Sequence, residues 1–181
     1  MLDVFNPWVA IDRRNGNLYA TWEDGRVSRF QHNDIALSMS ADGGFTWSTP
    51  IRVNQTPTNM ALATREAFLP FIAVTADGTI GVTHYDFRFN NSTSAGRPAD
   101  RWLVSYSSSP TNAASNPSCW GNEVRLTDNS FNMEAVVPTL FGCLWMGDYF
   151  ALPAAGNSFI TTFTQVDTQS VTSIFARRIG P

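Results

Sequence analysis

The chain of 181 residues is poor in charge, thiol and imidazole, and each shortage removes a class of function. Only 15% of the residues are charged and the formal net charge is −3, so no basic surface invites nucleic acid or an anionic membrane. No apolar run approaches the roughly 20 residues that span a bilayer. The two histidines, His32 and His84, fall in different parts of the chain with no zinc spacing between them, and no EF-hand pattern is present; neither a metal nor a cofactor is expected. Two cysteines, Cys119 and Cys143, permit one disulfide, but their spacing does not decide between a bond and two half-buried thiols beside Trp120 and Trp145. A strand-like segment begins within a few residues of Met1, which leaves no room for a signal peptide; an exported protein would carry its signal outside this chain. Helical periodicity is also scarce. The best candidate, "TNMALATREAF" (58–68), lacks a 3.6-residue apolar period and reads as a loop with one helical turn.

What is present is short strands. Hydrophobic residues make up 43% of the chain, with six Trp and thirteen Phe, a composition suited to sheet packing or to a sugar-binding surface. "PWVAID" (7–12), "LYATWED" (18–24), "IALSMS" (35–40) and "PIRVNQ" (50–55) are rich in β-branched or aromatic residues and bounded by Gly, Asn or Asp. The pattern then repeats. "NPWVAIDRRNGNLYATWEDGR" (6–26) matches "LPFIAVTADGTIGVTHYDFR" (69–88), with Gly16 and Gly78, Asp24 and Asp86, and Arg26 and Arg88 each displaced by 62 residues. "MGDYFALPAAGNSFITTFTQ" (146–165) is a weaker third copy. A third strand follows each copy: 35–40, "RWLVSYS" (101–107) and "VTSIFARR" (171–178). A fourth follows in the first two, "PIRVNQ" and "NEVRLTD" (122–128).

Repeated four-stranded antiparallel units predict an all-β fold, a β-propeller portion with two full blades and most of a third near 5–55, 68–128 and 146–181. The chain 1–181 is then a single propeller segment, completed by further blades or by self-association. An immunoglobulin-like sandwich is the alternative, against which the repeated unit argues.

One turn carries a resemblance. Ser40-Ala41-Asp42-Gly43-Gly44-Phe45-Thr46-Trp47 fits Ser-x-Asp-x-Gly-x-Thr-Trp at every fixed position and resembles the Asp-box of sialidase-like (BNR-repeat) propellers. Its chemistry predicts a structural role for Ser40, Asp42, Gly44, Thr46 and Trp47. The Asp42 carboxylate would accept backbone N–H groups of its own turn, the glycines would allow positive φ, and Trp47 would fold back as a plug. A decayed version, "SYSSSPTNAASNPSCW" (105–120), lies in the second unit. "GDYFAL" (147–152) is similar to a phrase of bacterial secreted proteins of this kind, so the resemblance implies a secreted or periplasmic protein.

Alternating strand direction puts the second-to-third strand loops on the face away from that turn, and Arg and carboxylate residues collect there. The resemblance implies three arginines for a substrate carboxylate, a Tyr nucleophile activated by Glu, and an Asp acid/base. Arg101 matches an arginine that opens a third strand, Tyr149 resembles the nucleophile, and Asp148 and Glu134 are the carboxylates assigned beside it. Arg26, Arg88, Asp24 and Asp86 are secondary substrate contacts, although Asp24–Arg26 and Asp86–Arg88, two apart at strand ends, also read as local ion pairs. The first unit has Asn33-Asp34 where Arg101 sits in the second, and no Glu clearly accompanies Tyr149. The expected partner is a carbohydrate, an acidic glycan. Two functions stay open: a sialidase-type glycoside hydrolase, or a non-catalytic propeller that binds glycan or protein.

Overall fold

The strand-rich pattern folds as three antiparallel sheets in a computed structural model that describes residues 7–91, 93–94, 96–106, 113–135, 146, 150–167 and 172–180. The first sheet is β1 (Trp8–Ile11), β2 (Leu18–Asp24), β3 (Asp34–Ser40) and β4 (Ile51–Arg52), in that spatial order. The second follows the same path through β5 (Ala67–Val74), β6 (Ile80–Asp86), β7 (Pro98–Tyr106) and β8 (Val124–Arg125), and β9 (Phe131–Asn132) also pairs with β7. The third is β10 (Ala154–Ala155), β11 (Ser158–Val166) and β12 (Thr172–Ile179). Three sheets of three to five strands are partial propeller blades, and they replace the two-sheet sandwich. Among the described residues no helix is long and apolar enough to cross a membrane.

Register follows the repeat. Each first hairpin turns on a glycine of positive φ: Gly16 (79°), Gly78 (86°) and Gly156 (62°). Ile11 faces Leu18 and Val74 faces Ile80, so the first turn is one residue longer than the second. The eighth residue after each turn glycine, Asp24, Asp86 and Thr164, then faces Asp34, Asp100 and Ile174. The second sheet's third strand therefore starts at Pro98, three residues before the expected Arg101. The segment 58–68 is a loop with one 3-10 turn, Leu62–Thr64, and enters β5 at Ala67.

The second sheet is packed on both faces, and all seven residues of β6 are buried. One face meets the first sheet through Ile35, Leu37, Val82 and Val104. The other meets the third sheet through Tyr85, Leu103, Phe159 and Phe163. Each such aliphatic side chain withdrawn from water contributes about 1.5–3 kcal/mol. The second contact is close at Gly81, where a Cβ would lie 2.7 Å from the ring of Phe159. The outer faces stay exposed: Val9 and Ile11 on the first sheet, Ile174 on the third. In the 113–120 segment the Trp120 indole donates to Ala114 O, and Cys119 forms no disulfide among the described residues; Cys143 and Trp145 lie outside them.

The turn from Ser40 to Trp47 closes on its own carboxylate. Asp42 Oδ1 accepts from Ser40 Oγ at 2.8 Å and from the Thr46 amide at 2.9 Å, while Oδ2 accepts from Thr46 Oγ1 at 2.6 Å. Ser40 Oγ accepts from the Gly44 amide, and Gly43 and Gly44 have φ of 76° and 96°. Trp47 folds back so that Nε1 donates to Gly44 O, but its ring stays 43% exposed, so the expected plug is only half seated. Donation from the Thr46 hydroxyl first, then from the Thr46 amide and Ser40, holds the Asp42 carboxyl down at about 2.

A carboxyl depressed in the folded state stabilises the fold above its unfolded pKa of about 3.9. That stability is lost as pH falls from there through about 2. Asp42→Asn is expected to lower the denaturant midpoint at pH 7 and to flatten its decline between pH 4 and pH 2. Equal pH profiles for the two proteins would show that the turn does not depend on the ionised carboxylate.

Candidate functional site

Two like charges face each other at the end of each of the first two sheets: Asp24 opposite Asp34, and Asp86 opposite Asp100. Directly opposed like charges destabilise a sheet, so each carboxylate needs its own cation. All twelve basic residues of the chain are arginines, whose planar fork matches a carboxylate. Arg26 reaches Asp24 through Nε at 2.9 Å and Nη2 at 2.6 Å, and Arg88 reaches Asp86 through the same atoms at 2.8 and 2.6 Å. Arg52 Nε lies 2.9 Å from Asp34, and Arg125 Nε 2.8 Å from Asp100. Arg52 and Arg125 hold equivalent places, facing Ala36 and Trp102 two residues beyond the aspartate. Asn54 and Thr127 each add a donor to the same carboxylate. The like pairing of "IRVN" and "VRLT" is the sequence signal for this second set.

An indole completes each arrangement from a different strand. Trp22 Nε1 donates to Asp24 from the same strand, whereas Trp102 Nε1 donates to Asp86 from the neighbouring one, each at 3.0 Å. His84 stands where Trp22 stands, faces Trp102, and lies 3.2 Å from Glu123. Burial pushes the Glu123 carboxyl up, but His84 and Arg88 outweigh it and hold it at about 2. Glu123 and Asp86 also tie the first sheet to the second, accepting from the Gln55 amide at 2.7 Å and the Thr56 hydroxyl at 2.6 Å.

The predicted substrate contacts thus fall into two groups. Asp24–Arg26 and Asp86–Arg88 are closed ion pairs, Arg88 being stacked 3.7 Å over Trp102 on the face toward the first sheet. Arg101 lies on the opposite face, toward the third sheet, so β7 does not bring Arg88 and Arg101 together. Glu134 is half exposed on a 3-10 turn, 3.4 Å from Arg97. Asp148 and Tyr149 lie outside the described residues.

Arg101 is wholly buried, with Nη1 donating to Leu69 O at 2.9 Å and Nη2 to Thr83 Oγ1 at 2.6 Å. Its guanidinium carbon lies 4.5 Å from the Tyr85 ring centre and 5.7 Å from that of Phe150. Nε finds no acceptor, and among the described residues no carboxylate pairs with the group. Burial lowers its pKa to about 10. The residue has no counterpart in the other units. By register its place is taken by Ile35 in the first, not by Asn33-Asp34, and by Phe175 in the third.

Two neighbours had no sequence signal as site residues. The Tyr85 hydroxyl donates to Thr164 O at 2.7 Å and accepts from the Thr164 amide at 3.0 Å, which locks it to the third sheet; burial pushes it up to about 12. Leu69 sits in a β-bulge between Phe68 and Phe71 with φ of 51°, and its amide donates to the buried Glu23 Oε1 at 2.7 Å.

Solved structures share this architecture. The Trypanosoma rangeli sialidase in complex with sialic acid superposes with a TM-score of 0.60 at 14% identity, over 98% of this chain and 28% of that one. A Hadza microbial sialidase gives 0.56 at 14% identity, over 94% and 34%. The fold is sialidase-like. A protein of unknown function from Dyadobacter fermentans gives 0.54 at 14% identity, over 97% and 50%. The chain thus spans about a third of the length of either sialidase and half of the third protein. No protein-family profile and no curated protein matches it.

Within this sialidase-like frame the buried strand-end pair should matter more than the exposed one. Asp86→Ala leaves Arg88 with Glu123 as its carboxylate but strands the Thr56 hydroxyl and the Trp102 indole, and is expected to cost about 2–4 kcal/mol of unfolding free energy. Asp24→Ala, whose arginine is largely in solvent, should cost much less in the same urea titration. Equal losses would mean that burial is not what gives the second pair its weight.

Proposed function

We propose that this chain is a segment of a larger sialidase-like propeller, with blades near 5–55, 68–128 and 146–181, and that it engages the carboxylate of an acidic glycan through Arg101. The observation that carries this reading is the buried Arg101 guanidinium, which has two neutral acceptors, an idle Nε and no carboxylate among the described residues. A cation removed from water without a counter-charge is costly, and ring faces offset only part of that cost. A carboxylate offers what the site lacks: two parallel acceptors and a negative charge. Arg101 is enclosed, so a ligand carboxylate engages it by displacing Thr83 Oγ1 and reaching the idle Nε, while Leu69 O still holds Nη1. The solved sialidase bound to sialic acid supports the choice of sugar class. The Ser40–Trp47 turn is read as an Asp-box serving the fold, and the protein as an exported one.

In the hydrolase form of this reading Tyr149 is the nucleophile, with Asp148 and Glu134 as the carboxylates that move protons; tyrosine needs such a base because its ordinary pKa is about 10. In the binding form the same pocket holds the sugar without turnover. The binding form is favoured by Glu134 lying against Arg97 and by the closed ion pairs of Arg26 and Arg88.

Arg101→Ala is expected to weaken binding of N-acetylneuraminic acid by roughly 2–4 kcal/mol in calorimetry. Arg13→Ala, on the exposed hairpin turn at the other end of the sheet, should leave it unchanged. Unaltered affinity in Arg101→Ala would remove Arg101 from the site. Release of fluorophore from a fluorogenic sialoside would establish the hydrolase form, and binding without release the other.

A further inference from the structure

We infer that Glu23 is a positioning residue for Arg101, acting from the first sheet through the main chain of Leu69 in the second. The inference rests on the proposed role of Arg101. Both main-chain groups of Leu69 are claimed by buried ionisable side chains: its amide donates to Glu23 Oε1 at 2.7 Å, and its carbonyl accepts from Arg101 Nη1 at 2.9 Å. The residue between them is a leucine with φ of 51°, a conformation that a branched side chain rarely adopts and that persists only where its surroundings over-determine it. The bulge between Phe68 and Phe71 turns this carbonyl out of the β5–β6 ladder and toward Arg101.

The bland alternative is that Glu23 merely satisfies a buried amide. The repeat speaks against it. The seventh residue after the turn glycine is Tyr85 in the second sheet and Phe163 in the third, both packing residues, and only the first sheet spends a carboxylate there. Glu23 is itself braced, with Asn33 Nδ2 3.4 Å from Oε2. The Asn33 carbonyl in turn accepts from the Ala67 amide at the start of β5. An anionic acceptor holds an amide more strongly than a neutral one. Without it Leu69 relaxes toward ordinary strand geometry and its carbonyl turns away. Among the described residues Arg101 then keeps only Thr83 as an acceptor, and its fork loses the fixed orientation that a bidentate carboxylate contact needs.

The test uses the full chain and two probes, N-acetylneuraminic acid and its methyl ester. Glu23→Ala is expected to weaken binding of the acid about tenfold, the scale of one lost hydrogen bond to a charged group, and to shrink the preference for acid over ester. Glu23→Gln keeps an acceptor oxygen toward Leu69 and should fall between the two; it also serves if Glu23→Ala does not fold. A second readout needs no ligand. Rotation of the Arg101 guanidinium, followed by nitrogen-15 NMR, should be faster in either variant, along with exchange of the Leu69 amide. A variant with a lower melting temperature but unchanged acid-over-ester preference and unchanged Arg101 rotation would overturn the inference and leave Glu23 a structural residue. Arg101→Ala run alongside separates the two claims. If it leaves acid binding intact, the carboxylate-binding role fails, and the rotation measurement still decides whether Glu23 positions Arg101.

Discussion

A sheet packed on both faces has no solvent to give to a charge, and the arrangement of this chain follows from that constraint. The second sheet lies between the first and the third, and every residue of β6 is out of water. Each ionised group placed on it must find its compensation within the protein. Asp86, Asp100 and Glu123 do so through arginine forks, indole and hydroxyl donors, and the amide of Gln55. The bonds from Thr56 to Asp86 and from Gln55 to Glu123 also fasten the first sheet to the second. The same side chains thus neutralise charge and hold the blades in register.

Arg101 is the exception that gives the molecule a candidate site. It is as deeply placed as the aspartates, yet among the described residues its partners are a carbonyl, a hydroxyl and aromatic faces. The contacts around it are nevertheless specific. Tyr85 is tied to Thr164 on the third sheet, and Leu69 to Glu23 on the first. The guanidinium is therefore referenced to all three sheets at once, and a displacement of any one of them reaches it.

The fold was legible because it rests on local signals. Turn glycines, strand-ending aspartates and the Ser40–Trp47 turn all act within a few residues of themselves, and the repeat presents the first two more than once. Arg101 was visible for the same reason, as an arginine near the start of a strand. Glu23, Arg52, Arg125 and the pinned hydroxyl of Tyr85 were not, since their roles depend on what faces them across strands or between sheets. The misplaced match between Asn33-Asp34 and Arg101 has the same origin. The loops before β3 and β7 differ in length, and only the facing pairs Asp24–Asp34 and Asp86–Asp100 fix the true correspondence. The bulge at Leu69 had no signal, because a leucine is not the residue that left-handed backbone usually selects.

The exchanged tryptophans carry a consequence for how such a protein can drift. In the first sheet the indole that serves the strand-end aspartate comes from β2; in the second it comes from β7, and a histidine has taken the vacated place. The aspartate is indifferent to which strand its donor belongs to. What the blades share is thus an atom at a point in space, and the residue supplying it is free to change address. Two copies can diverge at both positions and keep one wiring diagram. Sequence identity between copies can fade well before their architecture does.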